Sequence, residues 1–316
     1  VNFFAILFFI LYFCCATIAE QSSIEDISSS LQHLNNFSGS SELYCLGGYD
    51  EFNRPSFPVS KLNRSNNQWE SVTDMTTPKI DFGAIVNGKK IYVCGGETGT
   101  KLLNLMEVFD CGSNTWEELA PMPSARERFG MTTLKDHIYV AGGNDASNNK
   151  LSSVLKYSPE TNTWAEGKAM NEAREAHQLV TLNGSIYAIA GAETKTVEHY
   201  NFLVDEWVFV APTLYEHEYF GVTTYQNKIY ILSETGFEVF DPQSNTWQEL
   251  PKLSVGRGTQ LVLINEKLWA VGGGEGNSPM KASKTIFEFD ITNNSWHQLP
   301  DMDVPRRHHR AVVVNM

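Results

Sequence analysis

The residues best suited to chemistry in this chain are cations and histidines spaced along it, each a few positions ahead of an apolar, strand-like run. Lys79, Arg126, Arg174, His217, Gly256 and Arg306 share one register, and Arg128, His177, Tyr215, Tyr219, Arg257 and His309 stand beside them. Guanidinium groups pair bidentately with carboxylates, so such a set suits an acidic motif in a protein or peptide. Arg126, Arg174 and Arg306 with Glu216, His217 and Glu218 also carry the groups needed to hold and protonate an acidic sugar. A recurring arginine equally suits a pairing role between neighbouring units, and Glu127, Glu175, Glu216 and Glu218 bring neutralising charge to the same segments.

Other chemistry finds little support. Gly272-Gly273-Gly274-Glu275-Gly276 follows an apolar run but leads into another strand, which does not fit a nucleotide loop. His217-Glu218 lacks the second histidine of a zinc protease helix. His308 and His309 are adjacent, so on a strand they face opposite ways and make a poor metal pair. A formal charge of −13 argues against a nucleic-acid or anionic-membrane surface. The expectation is a binding module without catalytic residues, metal or cofactor.

The elements that position these residues come from a repeat. An aromatic residue followed by glycines recurs at Tyr44-Cys45-Leu46-Gly47-Gly48, Tyr92 to Gly96, Tyr139 to Gly143, Tyr187 to Gly191 and Trp269 to Gly273, and a sixth copy, Tyr230 to Glu234, has lost its glycines. A tryptophan follows each one: Trp69, Trp116, Trp164, Trp207, Trp247 and Trp296, at intervals of 47, 48, 43, 40 and 49 residues. Each unit reads as four short strands, A to D. In the third, these are Met131 to Leu134, His137 to Ala141, Val154 to Tyr157 and the strand carrying Trp164. No such unit covers both of its faces alone, so the units must close into a ring.

Tyr-x-x-Gly-Gly, Tyr157-x-Pro159-x-Thr161-Asn162-x-Trp164, and Pro121-Met122 ahead of Arg126 resemble the kelch repeat, nearest to the propellers of the kelch-like family, over about Ser41 to Met316. The resemblance implies an all-β, six-bladed propeller with four antiparallel strands per blade. The first unit begins at strand B, Leu43 to Leu46, and His309 to Asn315 matches the strand A of other units. The C-terminal strand is therefore expected to complete blade 1. Strands in a blade alternate direction, so the loops leading into strand A and the B–C loops share one face of the ring. In the resembled family this face binds peptides. The expected partner-binding rim is Lys79, Arg126, Arg128, Arg174, His177, Tyr215, His217, Tyr219, Arg257, Arg306 and His309, with Arg128 and Arg174 the positions carried over from the resemblance. Short B–C loops in blades 4 and 5, and long ones in blades 1 and 6, place the ligand's approach over Tyr215, His217 and Tyr219.

Residues 1–19 are uncharged over Asn2 to Ala19, carry the run Phe3 to Leu11, and end in Ala16-Thr17-Ile18-Ala19. They read as a secretory signal, followed by a polar linker over 20–41 and the propeller over 42–316. Ile24, Ile27, Leu31 and Leu34 have helical spacing within that linker. Cys45, Cys94 and Cys111 remain after cleavage, an odd number that is no disulfide framework. Asn36, Asn63, Asn183 and Asn293 each open an Asn-x-Ser sequon. The expected protein is secreted and monomeric, and resembles in architecture the kelch proteins of insect saliva that act as effectors. Two rival readings stand beside it. One is the substrate-recognition or actin-binding propeller of a kelch-like ubiquitin-ligase adaptor, whose BTB and BACK domains the 40 residues before Ser41 are too few to hold. The other is a mutarotase-like, sugar-modifying propeller.

Overall fold

The structure is a computed structural model describing residues 41–63, 66–275 and 278–315. The expected signal segment, the expected linker up to residue 40 and the Asn36 sequon lie outside the described residues.

Six four-stranded antiparallel sheets form the blades of a propeller. Blade 3 is typical: Gly130–Leu134, His137–Ala141, Val154–Ser158 and Thr163–Gly167 run from the axis outward. Blade 1 is assembled from both ends of the propeller, in the order Arg310–Asn315, Ser41–Leu46, Val59–Asn63 and Gln68–Ser71. Its inner pair sets Leu43 opposite Val313 and Cys45 opposite Ala311, the closure expected from the repeat.

Burial along the strands explains the sequence pattern. Ile91 to Cys94 in strand B of blade 2 are buried at every position, because a blade is covered by a neighbour on each face. The outer strand Thr115–Leu119 tucks in its tryptophan and leaves Glu117 and Glu118 exposed. Five of the six such tryptophans also tie their blade to the one before by a hydrogen bond. Trp116 Nε1 donates to Thr73 O at 2.9 Å, Trp164 to Ala120 O at 2.8 Å, Trp207 to Lys168 O at 2.8 Å, Trp247 to Ala211 O at 2.8 Å and Trp296 to Pro251 O at 2.9 Å. The indole thus supplies apolar area and satisfies a carbonyl at the end of the preceding strand D.

The glycine pair has a steric cause. A Cβ on Gly95, whose φ is +61°, would lie 2.6 Å from Phe129 Cε1 and 2.7 Å from Arg126 O of the next blade. The innermost strands crowd together at the axis, where a Cβ on Gly221 would lie 2.2 Å from Leu261 N. They leave an axial cavity of about 280 Å3, lined by Ala84, Thr132, Val180, Val222, Val262 and Val313 among others. Cys45, Cys94 and Cys111 are all buried free thiols, and burial pushes the first two up to about 12.

Candidate functional site

The face carrying the loops into strand A is built in two layers. The deeper layer holds the cationic register. Lys79, Arg126, Arg174, His217 and Arg306 are each at most 2% exposed, and each grips the B–C loop or strand C of the blade it introduces. Lys79 pairs with Glu107, Arg174 with Glu198 at 2.9 Å, and His217 Nε2 lies 2.8 Å from Glu238. Arg126 and Arg306 have no such glutamate. They donate to main-chain carbonyls instead, Arg126 to Gly142 O at 3.1 Å and Arg306 to Pro58 O at 2.9 Å and Gly47 O at 3.1 Å. Burial lowers the affinity of both guanidiniums for their protons. Gly256 fills the sixth position, where a Cβ would lie 2.7 Å from Gly274.

His177 and His309 are also fully enclosed, and occupy the positions that Phe82, Phe129 and Phe220 hold in other blades. Burial, reinforced by Arg174, drives His177 down to about 3, and burial drives His309 well below its ordinary value. Both are neutral plates in the core at physiological pH. The expected rim is thereby corrected in one respect. Lys79, Arg126, Arg174, His177, His217, Arg306 and His309 lie inside the propeller and offer no charge to a partner. Nor do Arg126, Arg174 and Arg306 share a space with Glu216 and Glu218, so the sugar-acid constellation is not assembled.

The buried pairs make a direct prediction. Glu198 takes Arg174 and the backbone N–H groups of Asn171 and Glu172, at 2.8 and 3.2 Å. Glu198→Ala removes the buried partner of Arg174 and leaves it only the more exposed Glu172, at 3.1 Å, so it is expected to cost about 3 kcal/mol in urea unfolding, the low end for a broken buried pair. An unchanged urea midpoint would contradict this.

The outer layer is a ring at the axis, of which the expected rim contained only Arg128 and Tyr219. Asp81, Arg128, Ala176, Tyr219, Gly258 and His308 lie two residues beyond the cationic register, and all six have φ between 50° and 77°. Main-chain bonds pass from blade to blade: Arg128 N to Asp81 O at 2.9 Å, Ala176 N to Arg128 O at 2.8 Å, Tyr219 N to Ala176 O at 3.1 Å and Gly258 N to Tyr219 O at 2.7 Å. These six residues surround a small space together with Gln178, Gln260 and Arg310, which also line the axial cavity. His308 Nδ1 lies 2.7 Å from Asp81, Arg128 Nε donates to Asp81 at 3.3 Å, and the Tyr219 and His308 rings sit 4.6 Å apart. Burial works to raise the Asp81 carboxyl, but His308, Arg128 and Arg310 outweigh it and hold it below the usual range.

Asp81, Glu97 and Glu127 bring carboxylate oxygens within 4.8 Å of one another, the one such grouping among the described residues. Arg128 neutralises them from within, 3.3 Å from Asp81 and 3.5 Å from Glu127. Burial, only partly offset by Arg128, pushes Glu127 up to about 7.

Of the expected rim, Arg128, Tyr215, Tyr219 and Arg257 reach the surface. Three of these stand together, with the Arg128 and Arg257 guanidiniums 5.7 and 6.0 Å from the centre of the Tyr219 ring. Beside them, between blades 4 and 5, a pocket of about 480 Å3 is lined by Glu175, Glu193, Glu216, Glu218 and Glu234. Arg257 pairs with Glu218 and, at 3.1 Å, with Glu234, while Lys150 at the edge meets Glu193 at 2.7 Å. Arg128 also reaches Glu175, at 3.4 Å, so five carboxylates face three cations. Tight B–C turns expose this pocket, such as the one closed by Ser233 N to Gly236 O at 3.0 Å. In blade 6 the same loop carries an added hairpin, Gly274–Glu275 with Ser278–Ala282.

Comparison with known proteins agrees with the repeat. The family described as the KLHDC2/KLHL20/DRC7 Kelch-repeats domain matches residues 32–233, and the Kelch motif matches 257–303. Kelch-like protein 41a of Danio rerio is 34% identical over 71 residues, 22% of this chain and 12% of the relative. Kelch-like protein 25 of Homo sapiens is 31% identical over 70 residues, again 22% of this chain and 12% of the relative. The chain therefore spans only about an eighth of the length of these curated relatives in its matched segment. The solved structure of YjhT superposes with a TM-score of 0.64 at 15% identity, covering 75% of this chain and 88% of that one, a likeness of fold. With six blades in place and more than half of its length matched by one domain family, the chain belongs to the kelch-repeat propellers.

Proposed function

We propose that this propeller is a non-enzymatic protein-binding module whose partner docks a basic segment over blades 4 and 5, on the face of the strand-A loops. Kelch propellers generally bind proteins, and this face is the one the family resemblance favours. The observation that carries the reading is the division of charge by depth. The cations of the deeper register are consumed inside the ring, and five glutamates are left around the open pocket against Arg128, Arg257 and Lys150. The acidic partner expected from the sequence is thus replaced by a cationic one, for which Tyr215 and Tyr219 supply aromatic surface. Lysine-rich and glutamate-rich peptides of equal length test this by calorimetry. The expected result is salt-sensitive binding of the basic peptide, lost in Glu216→Gln/Glu234→Gln. Equal or tighter binding of the acidic peptide would overturn it.

We also propose that the protein is secreted, on the strength of the apolar run Phe3 to Leu11 and the small-residue pattern Ala16-Thr17-Ile18-Ala19 that follows it. Expression in a eukaryotic cell is expected to release a product beginning at Glu20. Retention in the cytosol with the first segment intact would refute secretion and favour the adaptor or actin-binding reading.

A further inference from the structure

The outer strands reveal a second site, on the opposite face, through one missing side chain. Three residues after each blade tryptophan stands an aliphatic residue: Val72, Leu119, Val210, Leu250 and Leu299. Each packs against the core of the following blade interface, Val72 with the core that holds Phe109, for example, and Leu299 with the core that holds Leu62. In blade 3 that position is Gly167, and the interface with blade 4 has no substitute for it. The backbone does not require glycine there. Its φ is not left-handed, and the nearest atoms to an added Cβ belong to Val154, the first at 3.0 Å.

The omission has a visible consequence. The strand C residues Phe109, Tyr157, Phe240 and Phe289 are all but fully buried, whereas their counterpart Tyr200 is half-buried, beside a cavity of about 480 Å3. The cavity walls are aromatic. Tyr200 lies 5.3 Å from Trp207 and 4.3 Å from Phe202, and Tyr139 lies 6.4 Å from Phe202, centre to centre. Its rim is cationic, in a chain of charge −13. Lys135 Nζ sits 5.6 Å from the Phe202 ring and Lys156 Nζ 5.9 Å from the Tyr139 ring, with His137 and Lys168 also lining the space. Glu166 and Asp205 are the acidic lining residues, and Asp205 accepts from the Tyr200 hydroxyl. The adjoining turn is unlike its equivalents. Leu203 and Val204 are 95% and 58% exposed where other blades carry Gly112-Ser113 or Gln243-Ser244.

We propose that this groove between blades 3 and 4 binds a small aromatic anion. The ring lies against Tyr200 and Trp207 in the space Gly167 leaves, and the phosphate, sulfate or carboxylate meets Lys135 and Lys156. Aromatic walls favour a flat apolar body. Lysines on flexible stems suit a compact anionic group. A pocket of this size, walled by aromatic rings on one side and edged by convergent charged groups on the other, is large enough for a small molecule.

The test uses 1-naphthyl phosphate as probe, with 1-naphthol and inorganic phosphate as controls, in isothermal titration of the whole chain. The expected result is saturable binding of 1-naphthyl phosphate, with each control at least about tenfold weaker. Gly167→Leu supplies the side chain that Leu119, Leu250 and Leu299 supply elsewhere, and is expected to abolish binding while circular dichroism shows an intact fold. Lys135→Gln/Lys156→Gln leaves the core untouched and is expected to weaken the phosphate at least tenfold without changing 1-naphthol, so it decides the matter should Gly167→Leu fail to fold. Absence of saturable binding by the unaltered protein, equal affinity for 1-naphthol, or unchanged affinity in the lysine variant or in a folded Gly167→Leu would each overturn the site.

Discussion

Removing Arg310 to Met316 is expected to abolish cooperative unfolding and leave a chain that aggregates. The segment Arg310–Asn315 is the innermost strand of blade 1, and pairs with Ser41–Leu46 along its whole length. Its side chains serve both neighbours. Val312 and Val314 enter the core shared with blade 2, and Ala311 enters the core shared with blade 6. Burying a valine contributes about 1.5–3 kcal/mol, so the two valines alone account for a large part of a typical stability of about 5–15 kcal/mol. Arg310 adds a bond from Nε to Phe82 O at 2.7 Å, joining blade 1 to the loop before blade 2. Deletion also bares the edge of Ser41–Leu46, whose last four residues are fully buried in the intact ring, and an apolar unpaired edge recruits other chains. Thermal and urea unfolding of residues 1–309 provide the measurement. A cooperative transition within a few degrees of the full chain's would show that the ring does not depend on this strand.

This closure is legible in the sequence, because it rests on counting: five complete units, one unit short of a strand A, and one spare strand at the far end. The tryptophan spacing is equally legible, since every copy packs at the interface with the preceding blade, and five of the six also donate to a carbonyl there. The depth of the cations is not. Lys79 finds Glu107 28 residues on, Arg174 finds Glu198 24 on, and His217 finds Glu238 21 on, so the offsets drift with loop length. Arg126 and Arg306 use carbonyls, which leave no mark in a sequence. A register of arginines therefore looked like a rim when it was an internal clasp. The histidines misled for a different reason. Next to Arg174 and Arg306, His177 and His309 read as part of a charged cluster, although alignment with Phe82, Phe129 and Phe220 would have marked both as core positions. Gly167 was visible by the same comparison: only the interface it should have filled shows what its absence does.

Replacing His177 by Phe is expected to make the propeller resist acid. Three blades already carry phenylalanine at this position, and the rings superimpose in role. A Cβ on Gly95 would meet Phe129 Cε1 at 2.6 Å, and a Cβ on Gly142 would meet His177 Cε1 at the same 2.6 Å. Neither ring nitrogen of His177 has a hydrogen-bond partner, so the substitution leaves no donor behind. Burial, with Arg174 adding to it, lowers this histidine from 6.5 to about 3. Below 6.5 the unfolded chain takes up a proton that the folded chain refuses until about pH 3. Stability is therefore complete above 6.5 and falls as the pH drops, by about 1.4 kcal/mol per pH unit across that window. His309 acts in the same direction. Glu127, raised to about 7, acts in the opposite one, since the folded chain binds its proton first on acidification. The difference between the variant and the unaltered protein removes both contributions. Urea unfolding at pH 7.5, 5.5 and 4.5 should show the variant's advantage growing by about 1.4 kcal/mol between the first two points, and by a similar amount again at the third. A difference that stays constant with pH would mean that His177 is protonated as readily in the folded protein as in the unfolded chain, and that its enclosure by Gly142 and Arg174 costs the charged form nothing.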